Sequence, residues 1–328
     1  MAGTTTTRRI RTVHPPRGRS LRGRPAPGKR SPKPDEPVSR LARSDDGVVI
    51  HYQTVGRGPK VMVLANGLGG RIYSWEPILR HFQGRYRFIT WDYRGLFESG
   101  APKLVRRLSI PNHAEDIRRV LDVEKVERAV FVGWSMGVQV SLEFATIYPE
   151  RVDRLILLNG TYGHALETGF QPFFRVPTVN RLLHELIDWL LARPDTVEWM
   201  AERARGPFVR DVLAPLLARF YRRPGLVPFL QRFNDDLFSR HHFSNFLRLF
   251  QELDAHSVYH RLRGIPHRAL VAYGDLDFLT PGYQSRDIIR KMPNAEGFHV
   301  RLATHFLLLE YPHRLLPRIE AFLKGDLR

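Results

Sequence analysis

Ser135 lies in the run Phe131-Val132-Gly133-Trp134-Ser135-Met136-Gly137-Val138-Gln139, with a glycine two residues away on each side. A serine hydroxyl is a weak nucleophile until a neighbouring base takes its proton. A sharp strand-to-helix turn lifts such a hydroxyl clear of a sheet, and its strained backbone tolerates only small neighbours. The same turn aims the backbone N–H of Met136 at the space where a carbonyl oxygen would gain charge. A serine between glycines in an ordinary loop has the same five-residue pattern. The chemistry therefore depends on what the rest of the chain brings to it.

The elements around the serine fit such a turn. Residues 126–132 hold Val126, Ala129, Val130, Phe131 and Val132, the apolar run of a strand covered on both faces. Met136, Val138, Val140, Leu142 and Phe144 follow, predicting a buried helix that reaches Tyr148 before Pro149 stops it. Residues 39–43 and 48–54 read as a hairpin around Asp45-Asp46-Gly47. Further strands are predicted over residues 60–65, 86–91, 152–158, 267–273 and 297–302, and helices over 75–82, 116–123 and 312–323. This alternation predicts a mostly parallel sheet with helices on both faces, whose ligands bind outside the carboxyl ends of the strands. Asn66, Asp92, Ser135 and Asn159 all fall at such ends. The loop Asn66-Gly67-Leu68-Gly69-Gly70 lacks both the Walker lysine and G-x-G-x-x-G. It reads instead as a close-packed turn whose Leu68 N–H is a second donor facing the serine.

The strand rhythm stops at residue 160 and resumes near 266. Between them, 161–265 shows helical periodicity, as in Phe243-Phe246-Leu247-Phe250, divided by prolines at 194, 207, 215, 224 and 228. It holds 16 of the 36 aromatic residues and no lysine, with 14 arginines against 11 acids. Inserted between two strands, it would roof the carboxyl edge of the sheet.

With Gly274-Asp275-Leu276-Asp277 and Ala303-Thr304-His305, the partners of Ser135 appear in chain order. From about residue 38 to 323 the chain resembles the α/β-hydrolase superfamily, specifically its cap-bearing, serine-esterase-like branch. Four stretches carry the resemblance in register: Asn66–Gly70, the run from Asp92 to Gly100, the Gly133–Gly137 elbow, and Gly274–Pro281 with His305–Pro312. It implies an eight-stranded, mostly parallel α/β sheet with a helical cap. The implied domains are a core of 38–160 and 266–328, a cap of 161–265, and a tail of 1–37. It also implies Ser135 as nucleophile, Asp277 as acid and His305 as base, with Leu68 and Met136 N–H groups as the oxyanion hole. Asp275 is the alternative acid. His299 lies inside a strand and His313 in a helix, so neither is expected at a strand end. The chain departs from the family where Asn66 replaces a histidine and Phe97 replaces a glycine. Trp134, Phe97 and Asn66 are expected to contact substrate. The expected reaction is hydrolysis of an ester or related acyl compound of a small, largely apolar molecule. Thioester, C–C, acyl-transfer and perhydrolase chemistry on the same residues, or ligand binding without turnover, are the alternatives. A serine in place of an aspartate argues against the dehalogenase and epoxide-hydrolase branches.

Composition narrows the remaining classes. The 328 residues include no cysteine, which excludes disulfides, thiolate catalysis and zinc–thiolate sites. No cofactor or metal is expected; adjacent His241 and His242 would point apart on a helix. The net charge of +18 is concentrated at one end, where residues 1–44 carry twelve basic and two acidic side chains. Seven prolines in that stretch and few apolar residues predict a disordered tail. Sequence-independent contact of the tail with nucleic acid or membrane ranks below a quiet, solvated extension. The absence of a secretory signal or spanning segment predicts a cytoplasmic protein with a small-molecule acyl substrate as its partner; an organelle transit peptide, which the arginine-rich tail resembles, ranks below this because its prolines oppose an amphipathic helix.

Overall fold

The computed structural model describes residues 35–165, 177–220, 223–238 and 242–325. The basic tail before residue 35, and His241, lie outside the described residues. Eight strands form one sheet in the order β1-β2-β4-β3-β5-β6-β7-β8. These are β1 (Val38–Arg43), β2 (Val49–Val55), β3 (Lys60–Ala65), β4 (Tyr86–Trp91), β5 (Ala129–Ser135), β6 (Val152–Gly160), β7 (Ala269–Gly274) and β8 (Ala295–Val300). The β1–β2 and β2–β4 pairs are antiparallel, and every other pair is parallel.

Side-chain alternation along β5 explains how one strand serves two cores. Ala129 and Phe131 pack with α2 (Ile110–Val123) and α3 (Met136–Ile147) on one face. Val130, Val132 and Trp134 join the opposite core, built on α1 (Glu76–Phe82) and the C-terminal helix Pro312–Lys324. Both faces are covered, which is why the central strands are apolar throughout.

Local chemistry moves three expected boundaries. β5 begins at Ala129 rather than 126, because Lys125 turns the chain at φ 52° and buried Val126 plugs that turn. β8 ends at Val300, with Leu302 at φ 62° in the turn that follows. α2 starts at Ile110, its Pro111 being tolerated in the first turn where no helical N–H is needed.

Between β6 and β7 the described residues form the helices α4 (Pro177–Leu191), α5 (Pro194–Ala204), α6 (Ala214–Phe220), α7 (Val227–Leu237) and α8 (Phe243–Ala255). The two ends of this insertion meet in an antiparallel bridge, Gly163 to Ser257, reinforced by Val258 N–H donating to the Tyr162 carbonyl at 2.8 Å. Gly163 is required there: its φ is 128°, and a Cβ would stand 2.3 Å from the His256 carbonyl oxygen. The last crossover, α9 (Gly282–Lys291), links β7 to β8.

The exit end of the insertion is also tied to α3. Glu143, 2% exposed, accepts hydrogen bonds from Arg261 and contacts His256 Nε2 at 2.9 Å. Burial pushes the Glu143 carboxyl up, but His256 and Arg261 outweigh it and hold the group below the ordinary carboxylate range. A depressed carboxylate stabilises the fold fully above its unfolded pKa of about 4.3, and that contribution fades as pH falls through the lower folded value. Glu143→Gln is therefore expected to cost about 1–2 kcal/mol at pH 7, allowing for the half-exposed Arg261. The deficit should shrink below pH 4. Urea midpoints of both proteins across this range check it; a deficit independent of pH would mean that the charge of Glu143 contributes nothing.

Candidate active site

Ser135 ends β5 and caps α3 at φ 56° and ψ −118°, a conformation that costs a non-glycine residue about 1–3 kcal/mol. Its neighbours explain how the turn is accommodated. A Cβ on Gly133 would lie 2.4 Å from the Gly137 carbonyl oxygen, and one on Gly137 only 1.9 Å from that of Ala65. Both positions admit glycine alone. The strain at Ser135 is held by packing on both sides, since Met136 and Val138 are completely buried.

His305 follows the turn after β8 and is 7% exposed. Its Nδ1 lies 3.0 and 3.1 Å from the two carboxylate oxygens of Asp277. Asp277 in turn accepts hydrogen bonds from the backbone N–H groups of Leu279 and Thr280, the Thr280 hydroxyl and the Asn159 amide, at 2.6–3.0 Å. Burial pushes this carboxyl up, yet the neighbouring His305 and these hydrogen bonds prevail and keep it below the usual carboxylate range. Asp275 points elsewhere: it is exposed and accepts the Leu302 N–H. With Nδ1–H donated to the carboxylate, Nε2 of His305 is the acceptor left over.

Ser135 and His305 open onto one cavity of about 250 Å³. No hydrogen bond joins them among the described residues, a contact that catalytic pairs often complete only with substrate in place. The Leu68 backbone lies on the same wall, and its N–H has no hydrogen-bond partner among the described residues. Met136 N–H opens α3 as one of the first-turn donors that a helix leaves unpaired. The remaining lining is largely apolar, with Phe233 from α7 and Phe246, Phe250 and Leu253 from α8. A cleft of about 1230 Å³ on the opposite edge of the sheet is larger, but none of these groups faces it.

The three residues expected to contact substrate fare differently. Trp134 lines the cavity, and its Nε1–H donates to the His305 carbonyl at 2.9 Å, tying the serine strand to the histidine loop. Asn66 does not line it. Its side chain is 1% exposed, donating to the Trp91 carbonyl at 2.8 Å and accepting from Trp75 Nε1 at 2.7 Å. It braces the glycine loop from within. Phe97 also lies away from the cavity, under the Arg71 guanidinium at 4.8 Å and beside His242. Asn159 and Thr280 hold the acid: Asn159 sits at the carboxyl end of β6, and Thr280 lies in the Gly274–Pro281 stretch after β7.

Among the described residues no cluster of three or more His, Asp or Glu side chains could hold a metal ion. No described helix is long and apolar enough to cross a membrane.

The alpha/beta hydrolase fold model matches residues 60–312, and the chain belongs to that family. It is 31% identical over 258 residues to the 2-hydroxy-6-oxononadienedioate/2-hydroxy-6-oxononatrienedioate hydrolase of Paraburkholderia phymatum, covering 76% of this chain and 82% of that protein. It is 26% identical over 264 residues to the pimeloyl-acyl-carrier-protein methyl ester esterase of Vibrio campbellii, covering 78% and 91% of the two chains. In fold it is similar to the enol-lactonase of Burkholderia xenovorans, with a TM-score of 0.63 and 22% identity over 87% of this chain and all of that one.

Proposed function

We propose that the protein is a serine hydrolase that cleaves esters of largely apolar acyl groups through an acyl-enzyme. One observation carries the reading: a strained serine and a histidine bound to a buried carboxylate share the wall of one cavity. His305 takes the Ser135 proton as Oγ attacks the acyl carbon, and Asp277 orients the ring and stabilises its charge. The Leu68 and Met136 N–H groups receive the developing oxyanion, each contributing about 3 kcal/mol. The proton passes from Nε2 to the leaving alcohol, and water then releases the acid by the same route. We read the insertion 161–265 as a cap, since α7 and α8 supply one side of the cavity.

Stoichiometric labelling by a fluorophosphonate, which reacts with activated serines, tests the reading. A protein that hydrolyses esters yet stays unlabelled would overturn it. Family members named as esterases and hydrolases support the class.

The lining favours an uncharged acyl group. No lysine or arginine faces the cavity among the described residues, so a carboxylate would lose its hydration without compensation. This weighs against the dioate substrates in the name of the Paraburkholderia relative. Each added methylene should raise kcat/KM about fourfold until the cavity is full, from about 0.8 kcal/mol of burial apiece. A p-nitrophenyl hexanoyl ester should therefore outrun its ω-carboxylate counterpart. Faster turnover of the charged ester would place a cation in the pocket.

A further inference from the structure

A second hollow of about 650 Å³ lies beside the catalytic cavity and has no part in the chemistry above. It runs between α1, the turn Pro224–Leu226 with α7, and two C-terminal helices, α10 (Leu307–Glu310) and α11 (Pro312–Lys324). Its lining is mixed: Leu226, Phe229, Leu309 and Leu316 give an apolar part, and Glu76, Arg80 and Arg232 give a charged one.

The partition between the two hollows is made of side chains. Phe229 faces the groove, and its ring lies 5.4 Å from Phe306 and 6.3 Å from Trp134, both of which line the catalytic cavity. A small void of about 10 Å³ sits within this wall, touching Trp134 and Phe306 on one side and Leu309 on the other. The buried Ser74 hydroxyl also faces that void and has no hydrogen-bond partner among the described residues. Native interiors rarely leave a buried hydroxyl unpaired or a wall incompletely filled. Both irregularities fall on the line between groove and cavity. A wall of aromatic rings opens by rotamer changes and breaks no sheet or helix hydrogen bonds.

We infer that the groove is a second binding site, taking the distal part of a long unbranched acyl chain that passes Phe229 when the catalytic cavity is full. The inference rests on the acyl-hydrolase reading for its carbonyl end, and on the groove alone for its tail. The cavity of about 250 Å³ is smaller than the roughly 300–1,000 Å³ of ordinary ligand pockets, so a long chain needs this extension. A chain crossing the wall exchanges aromatic contacts for its own.

Two substitutions and two readouts test it. Phe229→Ala removes the ring that closes the wall. Gly225→Trp puts an indole on the groove's lining, at a position where a Cβ meets nothing within 4 Å. The ratio of kcat/KM for dodecanoyl over butyryl p-nitrophenyl esters is expected to rise about tenfold in the first variant and to fall by a similar factor in the second. In Ser135→Ala protein, dodecanoate binding is followed by calorimetry, and Gly225→Trp should weaken it about tenfold. Ester ratios and dodecanoate affinity that ignore both substitutions, in proteins with unchanged melting temperatures, would overturn the groove. Dodecanoate binding that Gly225→Trp weakens, in a protein that cleaves no ester, would retain the groove and overturn the hydrolase reading instead.

Discussion

Ser135→Ala is expected to lower kcat on any ester substrate by about a million-fold, the scale seen when a catalytic nucleophile is deleted from a serine hydrolase. The size follows from the division of labour. Without Oγ there is no acyl-enzyme, and the oxyanion donors can assist only direct attack by water. Alanine keeps the Cβ of serine, so the backbone at φ 56° is no more strained than before and the fold should persist. Active-site titration before the assay excludes contaminating activity. A folded variant hydrolysing at the parental rate would remove Ser135 from the mechanism altogether.

Asp277→Asn is expected to lower kcat by about ten-thousand-fold with a comparatively small change in KM. The carboxylate is an acceptor only, and every group around it donates: two backbone N–H groups, Thr280, Asn159 and His305. An asparagine presents NH2 to one side of this ring of donors, and His305 must then reverse its tautomer or lose the contact. Nε2 would carry a proton when the serine needs an acceptor. Asp275→Asn touches an exposed side chain that only bonds the Leu302 N–H, and should change kcat a few-fold at most. Kinetics of both variants on one substrate decide between the two acids. The opposite order of effects would transfer the role to Asp275.

The parallel sheet was legible because buried strands are near-continuous apolar runs, and five of them, β3 to β7, carry that signature. Turns were less so. Val126 is as buried as a strand residue, which drew the predicted start of β5 three residues too early. The crossover α9 was overlooked since Tyr283, Ile288 and Ile289 are the only large apolar residues in its ten. Such a sparse stripe does not announce a helix, although two parallel strands require a crossover between them. At the site, the resemblance of Gly274–Pro281 and His305–Pro312 to the family's motifs singled out Asp277 and His305, whose side chains meet at 3.0 Å. Side-chain direction could not be read in the same way. Asn66 and Phe97 both stand near strand ends, yet one turns inward to brace a loop and the other sits beneath Arg71. The aromatic lining from α7 and α8 was visible as helical spacing, but which face met the cavity depends on how helices a hundred residues from Ser135 pack against it.

The pinch between Gly163 and Ser257 bears on how such a chain diversifies. About ninety residues leave the sheet and return to it through a single bridged pair, and between those ends they meet the core by packing, as at Leu249 and Leu253, and by side-chain contacts such as Asn245 with the Gly95 carbonyl. Closing a loop between fixed ends costs only about 0.6 kcal/mol more for each doubling of its length. Insertions, deletions or exchange between these two points that keep the packing of Leu249 and Leu253 would thus cost the scaffold little in chain entropy while replacing one side of the binding cavity. New selectivity becomes accessible in a single recombination event, with the strained serine and its acid and base inherited unchanged.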